Sequence, residues 1–368
     1  MPLAVEFRFF DRTQVIWEGK PYVFFAGTDY HRLANNPEVV RAFQEAAQEE
    51  GLSCAGSRVT TGNHPLLARL EARTAEFLGA GAAMVCSGGY LANTVALEAV
   101  SGDYQRFFLD AGAHASMASA VANLPLDRVH RFRDADPGEL ARELTLHLRP
   151  KERPLVLTDG VVSGSGQLPP LAAYWEQVRD LGGALLVDDS HGVGVVGPGG
   201  QGSPSHAGVP REACIQTGTY AKAFGGFGGL VAGPKELAAK VVDLSRAFVG
   251  ATPIPPPLAA AALRSIELLR EHPEWIADLQ TRTLAARRRL GELGFPVSAS
   301  PAPILSVTHL DERKNRRLRA ILEKAGIYPS FINYPGCPPG GHFRFTLSSV
   351  HTEDEVERLL QAIALSCS

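Results

Sequence analysis

Six apolar runs too brief to be helices punctuate this chain: Ala83–Cys86, Arg106–Leu109, Leu155–Thr158, Ala184–Val187, Cys214–Thr217 and Leu230–Ala232. Most are continuous rather than alternating in polarity, as strands covered on both faces must be. Helical stripes lie between and around them. Asn36-Pro37-Glu38 supplies a cap, a proline at the first helical position and an acid in the first turn. Val39, Val40, Phe43, Ala46 and Ala47 follow, and Gly51 ends the helix. Leu66, Leu67, Leu70, Thr74, Phe77 and Leu78 share a second face, ended by Gly79. Leu318, Ile321, Leu322 and Ala325 form a third, closed by Gly326, and Thr352 to Glu355 reads as a capping box ahead of Val356, Leu359, Leu360 and Ile363. Short buried strands alternating with helices predict an α/β fold with a mostly parallel sheet flanked by helices.

The chain's 368 residues favour one large or two medium domains. The prolines of Thr252–Pro257 break the chain before a helix at Leu258–Leu269, and His272-Pro273 marks a hinge. The expected division is an N-terminal segment 1–36, a large domain 37–271 and a smaller α+β C-terminal domain 272–368. The formal net charge of −3 carries no basic field for nucleic acid or an acidic membrane. The basic stretches Arg287–Arg289 and Arg313–Arg319 read as solvated helix faces. Cysteines at 54, 86, 214, 337 and 367 form no CxxC, which argues against a disulfide framework or zinc ribbon. The opening MPLAVEFRFFDR has neither a basic leader nor an apolar core, and no apolar run is long enough to span a membrane. A cytoplasmic location is expected.

Ligands in open parallel sheets bind beyond the carboxyl ends of the strands. Ser87-Gly88-Gly89-Tyr90 follows the first run and opens a helix, so its unpaired N–H groups suit a phosphate. A plain strand-to-helix turn explains the same residues. The later runs deliver Asp110 and His114-Ala115-Ser116, then Asp159 and Ser163, then Asp188-Asp189-Ser190-His191-Gly192, then Thr219 and Lys222. A lone histidine or aspartate is usually structural, but several on one rim point to a site. Lys222 would form a Schiff base, an aspartate would pair with a pyridinium nitrogen, and the glycine turn would hold a phosphate. Together these parts describe pyridoxal 5′-phosphate. GGFGG at Gly225–Gly229 is not a dinucleotide fingerprint, and GxxxxGK[ST], HExxH and GxSxG are all absent. Asp188, Asp189 and His191 lack a further metal ligand, so no metal is expected.

Val187-Asp188-Asp189-Ser190-His191-Gly192-Val193-Gly194-Val195 and Gly218-Thr219-Tyr220-Ala221-Lys222-Ala223-Phe224-Gly225-Gly226 resemble the α-oxoamine synthases, a branch of the fold-type-I pyridoxal-phosphate enzymes. The resemblance runs from about Phe24 to about Ile363. It implies that Lys222 carries the Schiff base and moves the α-proton, that Asp188 pairs with the pyridine nitrogen, and that His191 lies near the ring hydroxyl. His114 would stack on the ring and hydrogen-bond the acyl donor's carbonyl. Gly89 and Tyr90 match the small-aromatic pair at the phosphate helix, Ser163 a serine near the cofactor, and Thr219 a phosphate-contacting threonine. Thr252 resembles a threonine that reaches the phosphate of the neighbouring subunit. Arg344 resembles the clamp on the amino-acid carboxylate, where a planar fork suits a carboxylate. Ser57 keeps the small hydroxyl of the amino-acid pocket.

The departures cluster at the substrate end. Thr28-Asp29-Tyr30-His31-Arg32 stands where the family often has Asn-Asp-Tyr-Leu-Gly, Gly164-Ser165-Gly166 replaces Met-Asp-Gly, and Leu67 replaces a histidine. The expected reaction is an acyl transfer from an acyl thioester, on coenzyme A or carrier protein, to alanine, glycine or serine. It would lose carbon dioxide and release an α-aminoketone. Alanine with a dicarboxylic acyl thioester, as in biotin synthesis, is the leading pair. An aminotransferase or amino-acid lyase on the same fold is the alternative, and a non-catalytic binding protein a third. A homodimer with shared active sites is expected.

Overall fold

Every one of the six apolar runs is a strand, and a seventh joins them. A computed structural model describes residues 6–133, 135–309, 311–333 and 341–367. The first residues of the opening segment and Cys337 lie outside the described residues; Cys54, Cys86, Cys214 and Cys367 are free thiols. The seven strands of the main sheet are β1 (Ala82–Cys86), β2 (Arg106–Asp110), β3 (Val129–Phe132), β4 (Pro154–Asp159), β5 (Ala184–Asp188), β6 (Cys214–Thr219) and β7 (Gly229–Gly233). Their order is β1-β7-β6-β5-β4-β2-β3. All neighbours are parallel except β7, which runs antiparallel to β1 and β6. The edge strand β3, Val-His-Arg-Phe, is only partly covered, so it lacks the apolar continuity of the central strands.

That continuity has a direct cause. Met84 and Cys86 of β1 pack into one core while Ala83 and Val85 pack into another on the opposite face. Strand side chains alternate, so both alternating sets must be apolar when helices cover both faces. One face is covered by the helices Pro37–Glu50, Pro65–Leu78 and Pro256–Glu271. The caps follow the sequence: Asn36 accepts the N–H of Glu38 at 2.9 Å, and Gly79 ends its helix in the left-handed region. Thr352 and Glu355 exchange backbone-to-side-chain bonds at 2.9 and 3.2 Å and start the helix Glu353–Cys367.

Beyond His272 the chain does not loosen. Pro273 opens a further helix, Pro273–Glu292, which touches both cores through Ile276 on one side and Leu279, Ala286 and Leu290 on the other. The C-terminal part adds an antiparallel sheet of Ile304–Val307, His342–Thr346 and Phe331–Ile332. Val23, Phe25 and Tyr30 from the N-terminal segment belong to that C-terminal core, and Val23 bridges to Ile327. Among the described residues no helix is long and apolar enough to cross a membrane.

One expectation fails. Arg288 and Arg289 are solvated, but Arg287 is 5% exposed. Its Nη2 donates to the carbonyls of Ile304 (2.7 Å), Ala302 (3.2 Å), Gly166 (3.3 Å) and Ser165 (3.3 Å). Burial pulls its guanidinium down to about 10. Gly166, at φ +70°, leaves room for it: an added Cβ would stand 2.5 Å from Nη2. The charge run reads as a solvated face because a buried arginine satisfied by carbonyls needs no acid nearby in sequence. Replacing it strands those acceptors, so Arg287→Leu is expected to lower stability by roughly 2–4 kcal/mol. Denaturant unfolding measures this; a loss below about 0.5 kcal/mol would show that the carbonyls find other donors.

Candidate active site

The carboxyl ends of β2, β4, β5 and β6 and the first turn after β1 surround one open cleft. Its walls carry Gly89, Tyr90, His114, Ser116, Asp159, Ser163, Asp188, Ser190, His191, Thr219 and Lys222. Asp188 is the last residue of β5 and is buried. Its Oδ2 accepts from Asn93 Nδ2 at 2.7 Å and from Ser116 Oγ at 3.3 Å, and its Oδ1 accepts the N–H of Ser190 at 3.1 Å. Asn93 is held in turn by the Thr217 hydroxyl. Asp189 turns away from the cleft. It accepts from Ser203 N–H (2.9 Å), Ser203 Oγ (2.7 Å) and Gln216 Nε2 (2.7 Å), and burial pushes its carboxyl up to about 7. Adjacent residues on one backbone therefore give one acid to the ligand side and one to the framework.

Lys222 follows β6 on a turn. Burial lowers its amine to about 8, against the opposing pull of Asp188 and Asp159. His191 Nδ1 meets the hydroxyl of the fully buried Tyr30 at 2.6 Å. Burial, with Lys222 and Arg344 nearby, holds the His191 imidazole well below its usual range, so it is neutral. A neutral imidazole whose Nδ1 accepts from Tyr30 presents Nε2–H as a donor. Burial pushes the Tyr30 hydroxyl up to about 12, so it keeps the proton that it donates.

On the facing wall, His114 caps the short helix Ala115–Val121 and bonds Ser116 Oγ through Nδ1 at 2.7 Å. Tyr90 meets it edge-on, ring centroids 6.2 Å apart, and bonds Ser119. The helix Gly89–Val100 starts without a side-chain cap, which leaves its first N–H groups free for a ligand. Gly89 lies so close to Thr219 that an added Cβ would stand 2.7 Å from the threonine Cβ. Thr219 Oγ1 donates to Gly228 O at 2.8 Å. Arg344 stands behind Ser163: its Nε donates to the Ser163 carbonyl at 2.7 Å, and no acid pairs with it among the described ion pairs.

Arg344 does not itself line the cleft, and two further candidates lie elsewhere. Ser57 sits on the loop between the helices Pro37–Glu50 and Pro65–Leu78 and meets Thr60 Oγ1 at 3.2 Å. Thr252 is exposed, and its carbonyl accepts from Ser87. Neither lines the cleft of its own chain. Leu67 is fully buried in the helix core, away from the cleft. Arg32, where the family has glycine, adopts φ +50° and is held by the Phe24 carbonyl at 2.6 Å. The sequence assigns no role to Asn93 or Tyr30, and it places Asp159 on the rim without assigning it a role. The one legible signal for Asn93 is a lone amide within the apolar helix Leu-Ala-Asn-Thr-Val-Ala.

The donor set fits a phosphorylated pyridine aldehyde. An amine near neutrality, a buried carboxylate with fixed donors, a neutral imidazole donor and an uncapped glycine-led helix all face one space.

A family model described as aminotransferase class I and II matches residues 22–363. The chain is 35% identical over 346 residues to 8-amino-7-oxononanoate synthase of Chromohalobacter salexigens, covering 94% of this chain and 89% of that protein. It is 36% identical over 355 residues to the synthase of Stutzerimonas stutzeri, covering 95% and 89%. Among solved structures, Sphingomonas wittichii serine palmitoyltransferase superposes with a TM-score of 0.88 at 26% identity, covering 97% of this chain and 90% of that one. A serine palmitoyltransferase from S. paucimobilis with bound PLP–myriocin gives 0.87 at 25%, covering 96% and 89%.

The lowered Lys222 amine has a pH signature. Its folded value of about 8 lies below the ordinary 10.5, so between those values the unfolded chain binds more protons and stability rises with pH. Below that window the buried cation costs on the order of 3 kcal/mol. Lys222→Met is therefore expected to stabilise the cofactor-free protein near pH 7, with the gain shrinking toward pH 10. Unfolding curves across that range check it; a gain independent of pH would mean the amine is not perturbed.

Proposed function

The chain belongs to the α-oxoamine synthase branch of the aminotransferase class I and II family, and from that premise we propose that it condenses a small amino acid with an acyl thioester. The products would be carbon dioxide, a free thiol and an α-aminoketone. The chain is a transferase that uses pyridoxal 5′-phosphate. When bound, the cofactor supplies an aldehyde that condenses with amines and a protonated ring that draws electrons from the substrate's α-carbon. Lys222 would hold the aldehyde, Asp188 the ring nitrogen and His191 the ring hydroxyl. His114 would cover one face of the ring, Ser163 would stand beside it, and Gly89, Tyr90 and Thr219 would hold the phosphate.

The observation that carries this reading is the pairing across one cleft of Asp188, a buried carboxylate locked by Asn93 and Ser116, with a lysine lowered to about 8. Three hydrogen bonds fix the Asp188 carboxyl as an acceptor aimed at the ring nitrogen's proton. Lys222 loses its proton close to neutral pH and so is able to take one from the α-carbon. No acid among the described residues pairs with Arg344, which would fork onto the substrate carboxylate, orienting the Cα–H bond. His114 would donate to the donor's carbonyl oxygen as charge develops there.

Ser57 and Thr252 stay outside their own cleft, which supports a homodimer in which they serve the neighbouring site. For the substrates, the relatives' names favour alanine and a dicarboxylic acyl thioester yielding 8-amino-7-oxononanoate. The superposition on serine palmitoyltransferases keeps serine with a long-chain thioester as a second reading.

The purified protein with added pyridoxal phosphate is expected to show a visible absorption band that Lys222→Ala lacks. Thiol release from an acyl thioester should require one amino acid among alanine, glycine and serine, and that amino acid names the branch member. A band that bleaches with amino acid alone and returns with a keto acid, without thiol release, would establish an aminotransferase instead. Absence of any band in the wild type would overturn the cofactor assignment.

A further inference from the structure

The sheet brings a second carboxyl to the cleft. β2, β4 and β5 are adjacent and parallel, and they end in Asp110, Asp159 and Asp188. Asp159 and Asp188 are direct partners in the ladder, so their side chains leave the sheet at the same level. Asp159 is 7% exposed and lines the cleft. Its Oδ1 accepts the backbone N–H of His114 at 3.0 Å, just where the helix Ala115–Val121 begins.

The charged and titratable groups that face Asp159 come from every neighbouring element. They are Asp188 on β5, Asp110 on β2, Lys222 after β6, and His114 and His191 across the cleft. Two buried carboxyls side by side do not both ionise cheaply, and one takes the proton. The donors decide which one. Asp188 receives Asn93 Nδ2, Ser116 Oγ and the Ser190 N–H, whereas Asp159 receives the His114 N–H.

We propose that Asp159 is a positioning residue that works in its protonated form: Oδ1 pins the His114 backbone and so aims the imidazole into the cleft, while the three donors stay with Asp188. Burial and the neighbouring Asp188 raise the Asp159 carboxyl well above its ordinary range, in the direction this assignment needs. His114 cannot hold itself in place, because its ring nitrogen Nδ1 is occupied by Ser116 within its own helix turn. The bond from β4 ties the His114 backbone to the sheet, beside the bond that Ser116 makes to Asp188. This inference rests on the reading of the cleft as the cofactor site, but part of its test does not.

The conservative variant separates a neutral acceptor from a charged one. Asp159→Asn keeps an acceptor oxygen and no charge, so cofactor affinity, read by titrating the visible band, should stay within about threefold of wild type. Asp159→Ala leaves His114 N–H unsatisfied and should weaken cofactor binding by about tenfold or more. An Asn variant as damaged as the Ala variant would show that the carboxylate charge is needed and would overturn the proposal. So would an Ala variant indistinguishable from wild type.

The second arm uses the cofactor-free protein. A carboxyl raised in the folded state contributes stability that is lost as pH rises through its folded value. Wild type should therefore lose stability relative to Asp159→Asn as pH rises above about 4, the ordinary aspartate range. A difference between the two that does not change with pH would overturn the protonated assignment. Failure of wild type to bind pyridoxal phosphate would remove the cofactor reading and leave this comparison intact.

Discussion

Placing the Asp188 carboxylate inside the protein is unfavourable unless several donors meet it, and the fold is arranged so that they do. Transfer of an unpaired carboxylate into an apolar interior normally ends in protonation. Asn93 reaches it from the helix after β1, Ser116 from the helix after β2, and the Ser190 amide from the turn after β5. These elements are close together because parallel strands must return to the same edge through helices, and each return deposits its first turn beside that edge. The sheet order puts β6, β5, β4 and β2 in a row, so Lys222, Asp188, Asp159 and His114 follow from topology rather than from sequence proximity.

Asp189 shows how narrow the division is between site and scaffold. Its carboxyl fills a space bounded by glycines: added Cβ atoms at Gly160, Gly192 and Gly202 would approach its oxygens to 2.2, 2.0 and 1.9 Å. No other residue type fits at those positions with the acid in place. Part of the glycine content that draws attention in the sequence therefore serves a buried carboxyl behind the site, not the ligand in front of it.

The strand-end acids, the lysine and the histidines are legible because they follow apolar runs whose continuity marks them as central strands. What stays hidden is hidden for physical reasons. β3 is an edge strand and carries no two-sided apolar signal. Asn93 and Tyr30 act through contacts across 95 and 161 residues, which periodicity cannot register. Arg287 looks like its solvated neighbours because its acceptors are main-chain oxygens that every residue possesses. Arg32 occupies a left-handed conformation without being glycine, its strain offset by the Phe24 carbonyl and the rings of Phe9 and Phe24. The backbone of this stretch makes the turn that delivers Tyr30 to His191.

The turn after β4 joins these threads. Arg344 grips the Ser163 carbonyl from the C-terminal sheet, and Arg287 grips the carbonyls of Ser165 and Gly166 from the helix Pro273–Glu292. Both arginines belong to the C-terminal part of the chain, yet both hold the segment that begins at the cleft residue Ser163. A residue larger than glycine at Gly166 would collide with Arg287 and with the Ile304 carbonyl, so the Gly-Ser-Gly sequence is shaped by that grip. Arg344 is then tied to the cleft wall by one edge of its fork through Nε. A carboxylate arriving at the guanidinium would meet a group already oriented by the main chain, which lowers the entropy lost on binding. The turn 163–166 is thus anchored at both ends by buried arginines that have its carbonyls for partners.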